Sequence, residues 1–152
     1  HFDVGYFEIE NHIFRLEHGD LINLQDHDYL KLRHALRSAT MLFLGHWIPG
    51  SLWNLIGKKW SQKSRKTSHV YLESKKAEIV SMVRRHALRS YNEKPFDVII
   101  TGHMHIKDDF EFAVESKRIR SINLGTWLDG AKVLKFENGH FTWLEAPFQS
   151  VI

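Results

Sequence analysis

Phe96-Asp97-Val98-Ile99-Ile100-Thr101-Gly102-His103-Met104-His105 is the stretch on which the fold turns. Pro95 closes what precedes it, and a short β-branched apolar run follows, long enough for one buried strand. The run ends on Gly102, which predicts a sharp turn with no side chain in the way. His103 and His105 then flank a single residue, a spacing that lets two imidazoles at a strand end reach neighbouring points. Imidazole is the commonest side-chain ligand for borderline divalent metals. Taken alone, a His-x-His after a strand is more often a polar turn. A second strand-end histidine upstream shifts that balance.

The second histidine is in His18-Gly19-Asp20. Ahead of it, Tyr6 to Glu10 and His12 to Glu17 alternate apolar and polar residues around Glu10-Asn11, the pattern of a tight β-hairpin. From about Asp26 the period becomes helical, with Tyr29, Leu32, Arg33, Leu36, Thr40 and Phe43 in register and Asp26 or Asp28 as the cap. Met41 to Ile56 is the most apolar part and, broken at Pro49-Gly50, predicts two short helices. A basic run from Lys58 to Lys66 follows, with no acidic residue before Glu73. Glu73 to Arg89 reads as a helix with Ile79, Val80, Val83 and Leu88 inward. Beyond the central strand, Phe110 to Glu115, Ile119 to Asn123, Lys132 to Glu137 and His140 to Glu145 read as strands, the last two joined by the hairpin signal Asn138-Gly139. Strands, a helical insert, then more strands predict an α+β or layered α/β organisation.

Composition narrows the classes. The 152 residues make one domain's worth of chain, 43% hydrophobic and 26% charged, ordinary for a globular protein. No apolar run reaches the roughly 18 residues that span a bilayer, and no secretory signal pattern is visible. There is no cysteine, so disulfides and thiolate ligands are excluded, which fits a reducing compartment. The net charge of +3 is low for a nucleic-acid binder, and none is expected as a partner. Eleven histidines, by contrast, are many, and they favour metal. The chain starts at His1 on a segment that already reads as a strand edge, which predicts that it is part of a longer protein.

His18, His103 and His105 each stand where an apolar strand meets a glycine-containing turn, the place where layered sheets open onto a crevice. A hydrolytic phosphate-ester site generally uses two ions bridged by oxygen ligands. No carboxylate pair suited to that bridge lies beside these histidines; Asp20 reads as a group orienting His18 or its turn.

The ordered set His18-Gly19-Asp20 and Gly102-His103-Met104-His105 resembles the C-terminal half of the calcineurin-like metallophosphoesterases. Among these it looks most like the UDP-2,3-diacylglucosamine hydrolase family. Asp26, Tyr29 and Arg33 meet that family's offsets after His-Gly-Asp, Lys58 to Ser68 resembles its basic lid segment, and Leu124-Gly125-Thr126-Trp127 matches its Leu-Gly-x-Trp. The resemblance spans roughly Tyr6 to Glu145. It implies a four-layer α/β/β/α sandwich, with residues 1–152 a partial domain incomplete at its N-terminus and 26–90 a helical lid insertion. It also implies two divalent ions, manganese by family analogy. His18 and His103 would ligate one and His105 the other, with His103 catalytic beside the phosphate. Tyr29, Arg33, Lys63, Ser64 and Lys66 would grip phosphate or sugar. The implied reaction is pyrophosphate hydrolysis of a nucleotide-sugar lipid in lipid A synthesis. The implied location is the cytoplasm, peripheral on the inner face of the inner membrane.

The departures bear on substrate more than on superfamily. The family's Asp-x-His, Gly-Asp-x-x-Asp and Gly-Asn motifs are absent, Met104 stands for the usual threonine, and Ile106-Lys107 for Arg-Pro. Ser61 falls near the expected lid arginine. Met41 to Trp60 reads equally as a helical hairpin packed on the body or as a greasy surface beside lysines, the pattern of an interfacial element. Two alternatives stand beside the hydrolase: a metallophosphoesterase for another phosphomonoester or phosphodiester, and an inactive fragment or interaction domain. A half-sandwich would leave an apolar sheet face and a strand edge uncovered, which predicts pairing with a missing N-terminal segment or self-association. The remaining histidines, His12, His27, His34, His46, His69, His86 and His140, are assigned no role, and Trp127 is assigned to packing.

Overall fold

The computed structural model describes residues 4–25, 27–41, 43, 50, 74–127 and 130–145. The chain divides into two compact units: His1–Ile22 with Lys76–Ile152, and Asn23–Lys75.

The first unit is a mixed sheet with a helix on one face and a hairpin on the other. Strands β1 (Val4–Ile9) and β2 (His12–Glu17) form the expected hairpin. Glu10 and Asn11 both take positive φ, 50° and 62°, the pair of left-handed conformations that matches a two-residue turn to the twist of its strands. β3 (Val98–Thr101), β4 (Lys107–Val114) and β5 (Lys117–Leu124) complete a sheet of order β1-β2-β3-β5-β4. β2, β3 and β5 run parallel, with β1 and β4 antiparallel at the edges. β6 (Lys132–Glu137) and β7 (His140–Glu145) form a separate hairpin, turned by Asn138 and Gly139 at φ 51° and 74°. The mixed α/β class read from the sequence is what the chain adopts.

Strand alternation sorts the core into two layers. Phe96, Ile99 and Ile119 pack with Ala87 of the helix at residues 74–93, with Tyr6, Tyr91, Phe112 and Val114 around them. On the opposite face Phe14, Val98 and Ile122 pack against Leu134, Phe136, Phe141 and Trp143 of the β6–β7 hairpin. The helix turns inward along Ile79, Val83, Ala87 and Ser90. Leu88, expected inside, is exposed, because the inward stripe set by Ile79 and Val83 continues through His86 and Ala87. Most of this helix belongs to the sheet unit, and the smaller unit ends at Lys75.

In the second unit, α1 covers His27–Leu36. Asp28 is its second residue rather than its cap, and the other capping candidate, Asp26, lies outside the described residues. Leu32 and Leu36, on the apolar stripe predicted for this helix, are exposed. The helix pair predicted within Met41 to Ile56 and the basic run from Lys58 to Lys66 fall almost wholly outside the described residues.

Candidate metal centre

The site grows from the parallel pairing of β2 with β3. Two adjacent strands running the same way end side by side, so the turns that follow them meet at the carboxyl edge of the sheet. The Gly102 N–H donates to the His18 carbonyl at 3.2 Å and locks the turns together. Gly19 is the residue that allows this approach. It sits at φ +90°, and a Cβ there would lie 2.7 Å from the Gly102 carbonyl oxygen. Gly102 itself needs no special conformation, and a Cβ on it would make only an ordinary 3.4 Å contact with the His18 carbonyl. The left-handed residues of this turn are the histidines, His103 at φ 62° and His105 at φ 56°. The sharp turn is therefore made by strained imidazole-bearing residues and not, as expected, by the glycine. Such positions cost of order 1–3 kcal/mol each and cluster where function demands them.

The strain delivers His103 to His18. Nδ1 of His103 stands 3.3 Å from Nε2 of His18, with the rings edge-on at a centroid distance of 5.0 Å. Two imidazole nitrogens at ordinary metal–nitrogen distances from a common ion would be separated by roughly 3.0–3.4 Å for coordination angles between square and tetrahedral. The contact is a ring-to-ring hydrogen bond, and its length also matches the spacing of two nitrogens on one ion. His105 is exposed one residue beyond Met104. Among the described residues, no group of three or more His, Asp or Glu side chains converges on a point that would hold a metal. Asp20 is buried in the turn closed by the Ile22 N–H and the Gly19 carbonyl, 3.2 Å apart.

A third turn belongs to the same edge. β5 runs beside β3 and places Asn123 opposite Thr101. Asn123 is fully buried, and its Nδ2 donates to Thr101 Oγ1 at 2.9 Å and to the Gly102 carbonyl at 3.2 Å. Leu124-Gly125-Thr126-Trp127 follows, with Gly125 at φ +77° against the Lys107 backbone. Trp127, read from sequence as packing, is exposed. Beside these turns a groove of about 480 Å³ opens on the hairpin-side face, lined by Gly5, Phe7, Leu16, His18, Ile100 and Leu124 among others. Its floor is mostly apolar, and Phe7, Leu16 and Leu124 are exposed on it.

His86, left without a role on sequence grounds, is a buried partner of the strand that carries His18. Its Nε2 meets the Glu17 carboxylate, which also accepts from Arg15 Nε at 3.0 Å. Burial alone would push the Glu17 carboxyl up; His86 and Arg15 outweigh it and hold it below the usual range. The spacing from Ile79 to His86 already placed this histidine on the inward stripe of an amphipathic helix, which was the available signal.

Of the residues expected to grip substrate, Tyr29 and Arg33 are half-buried and one helical turn apart on α1. Lys63, Ser64 and Lys66 lie outside the described residues.

No family model matches the chain. It is similar to the UDP-2,3-diacylglucosamine hydrolase of Ectopseudomonas mendocina, 29% identical over 134 residues, covering 88% of this chain and 53% of that protein. The enzyme of the same name from Azotobacter vinelandii is 27% identical over 126 residues, 83% of this chain and 51% of that protein. That from Pseudomonas putida is 26% identical over 147 residues, 97% and 59%. The chain spans about half the length of the curated relatives it matches.

Proposed function

We propose that this chain is part of a metal-dependent phosphoesterase that hydrolyses UDP-2,3-diacylglucosamine at its pyrophosphate. The observation that carries the reading is the His18–His103 pair, two nitrogens 3.3 Å apart at the ends of adjacent parallel strands. The names of its relatives supply the substrate class. His18 and His103 would hold one divalent ion, manganese by analogy with the family, and His105 would contribute to a second. Such ions supply Lewis acidity and a water acidified towards neutrality. The chain's own part is to orient the pair: Gly19 lets the turns close, and the His103 backbone aims its ring. Tyr29, Arg33, Lys63, Ser64 and Lys66 are assigned to phosphate and sugar. The helical insertion is assigned to the lipid and to peripheral contact with the inner face of the inner membrane. Consistent with a peripheral role, no helix among the described residues is long and apolar enough to cross a membrane.

The remaining ligands would come from a further segment of the same polypeptide seated on the hairpin-side face. Two observations support that partner: the chain covers about half of its relatives, and Phe7, Ile9, Leu16 and Leu124 stand exposed on one face of the sheet. The test is manganese-dependent release of UMP from UDP-2,3-diacylglucosamine by the protein carrying this chain, run beside turnover of an aryl phosphate. UMP release that disappears in His18→Ala and His103→Ala supports the reading. Turnover of the aryl phosphate alone would assign the site to a different phosphoesterase. No turnover of either, with no metal uptake, would leave an interaction domain.

A further inference from the structure

We propose that Asn123 is a positioning residue for the His18–His103 pair, acting through the Gly102 peptide. Asn123 is wholly buried at the end of β5, where an apolar side chain would serve the core equally well. A buried amide costs free energy unless its groups are bonded. Among the described residues, its amide bonds to the last residue of β3 and to the two turns that follow β3 and β5. Nδ2 donates to Thr101 Oγ1 at 2.9 Å and to the Gly102 carbonyl at 3.2 Å, and Oδ1 accepts from the Gly125 N–H at 3.3 Å. One side chain thus bridges the end of β3 and the start of the Leu124–Trp127 turn.

The Gly102 carbonyl is the sensitive point. It shares a peptide plane with the His103 nitrogen, so whatever fixes that oxygen fixes the axis about which φ of His103 turns. The same oxygen accepts from the Met104 N–H at 2.7 Å, and the Gly102 N–H is held by the His18 carbonyl at 3.2 Å. The peptide before His103 is therefore held at its oxygen by Asn123 and by the turn, and the one before Gly102 by the His18 strand. The Met104 bond closes the turn across His103 and holds it at φ 62°, while Asn123 fixes the peptide plane from which that turn projects the ring towards His18. Groups that orient a ligand without touching the metal commonly change metal affinity by about 10- to 100-fold when removed.

This inference rests on reading the pair as a metal centre, and its test separates the two. Asn123→Leu, Asn123→Asp and Thr101→Val would be compared with the unsubstituted form in the protein carrying this chain by two measurements. One is the nuclear Overhauser contact between the His18 and His103 ring protons in metal-free protein. The other is the Co²⁺ dissociation constant from visible absorption. Asn123→Leu is expected to lose the ring contact and to weaken Co²⁺ binding about 10-fold or more, while Thr101→Val, which keeps the bond to Gly102, stays within about twofold. Retention of both ring contact and affinity in Asn123→Leu overturns the clamp, whatever happens to its melting temperature. If that variant does not fold, Asn123→Asp decides in the same way, since it keeps the shape and the Gly125 bond but loses both N–H donors. If the parent binds no Co²⁺, the metal reading falls, and the ring contact alone judges Asn123.

Discussion

The two ends of the parallel strands β2, β3 and β5 are built on opposite principles. At the amino end, Asp97 knits the sheet closed. Its N–H donates to the Ile13 carbonyl at 2.8 Å, its carboxylate accepts from the Ile13 N–H at 2.7 Å, and its carbonyl accepts from the Arg120 N–H at 3.0 Å. Lys117 completes the set at 2.8 Å. The left-handed residues at this end, Glu10, Asn11 and Glu115, lie in the hairpin turns that lead into β2 and β5. At the carboxyl end, Gly19, His103, His105 and Gly125 are all left-handed, and two imidazoles face each other with no carboxylate in the pair. One end uses its left-handed residues for tight hairpin turns and closes with backbone bonds and an ion pair. The other holds strain in order to aim side chains, the usual cost of a site in a sheet of this kind.

The contrast can be broken most severely at Gly19. Gly19→Ala should cost about 3 kcal/mol in urea unfolding, since the new Cβ meets a backbone oxygen at a left-handed position, and should abolish Co²⁺ uptake. A loss under about 1 kcal/mol would mean that the turns are not as closely apposed as they stand.

Next comes the amino end. Burial would push the Asp97 carboxyl up, but Lys117, the Ile13 N–H and His12 together hold it below the usual carboxylate range. A depressed carboxyl stabilises the fold above its unfolded pKa of about 3.9 and loses that contribution as pH falls through its lower folded value. Asp97→Asn should therefore cost about 1 kcal/mol at neutral pH, a modest figure because Lys117 is 44% exposed. The gap to the parent should narrow in urea titrations as pH falls below about 3.9. A gap that stays constant with pH would assign the effect to packing.

At the carboxyl end the sign reverses. His103→Gly should raise stability by about 1 kcal/mol, since glycine accepts the left-handed region without cost, while Co²⁺ binding collapses. Reduced stability would show that the ring packs rather than serves. The smallest effect is expected at Glu10, whose carboxylate accepts from the Asn138 and Gly139 N–H groups at 3.1 and 2.7 Å and links the two hairpin turns. Glu10→Gln should cost about 0.5 kcal/mol, read as a shift in melting temperature.

How much of this could be read beforehand follows from the range of the forces involved. Glu10-Asn11 and Asn138-Gly139 announce hairpins because their turn conformations are local properties of those residues. The run from Val98 to Thr101 announces a buried strand for the same reason. His18, His103 and His105 could be named as candidates by type and place, each near a strand end and a glycine, whereas the pairing of His18 with His103 was implied only by the family resemblance. The inward side of His86 could be read from its helix spacing, but its partner could not, nor could the role of Asn123, because each depends on a group met across the fold: Glu17 from a distant strand, and a carbonyl in a neighbouring turn. Leu88 differs, since the stripe set by Ile79 and Val83 runs through His86 and Ala87, a spacing already present in the sequence.

Sequence alone determined the strand and hairpin elements, the mixed α/β class and three candidate histidines, since periodicity and turn chemistry act over a few residues. Only the tertiary structure decided that β2 and β3 lie parallel and adjacent, and so that residues 85 positions apart stand 3.3 Å apart. It alone moved the turn's strain from Gly102 onto His103. Backbone conformation at a strand end is set by which carbonyls and amides the neighbouring strands present, and those neighbours are chosen by the whole fold.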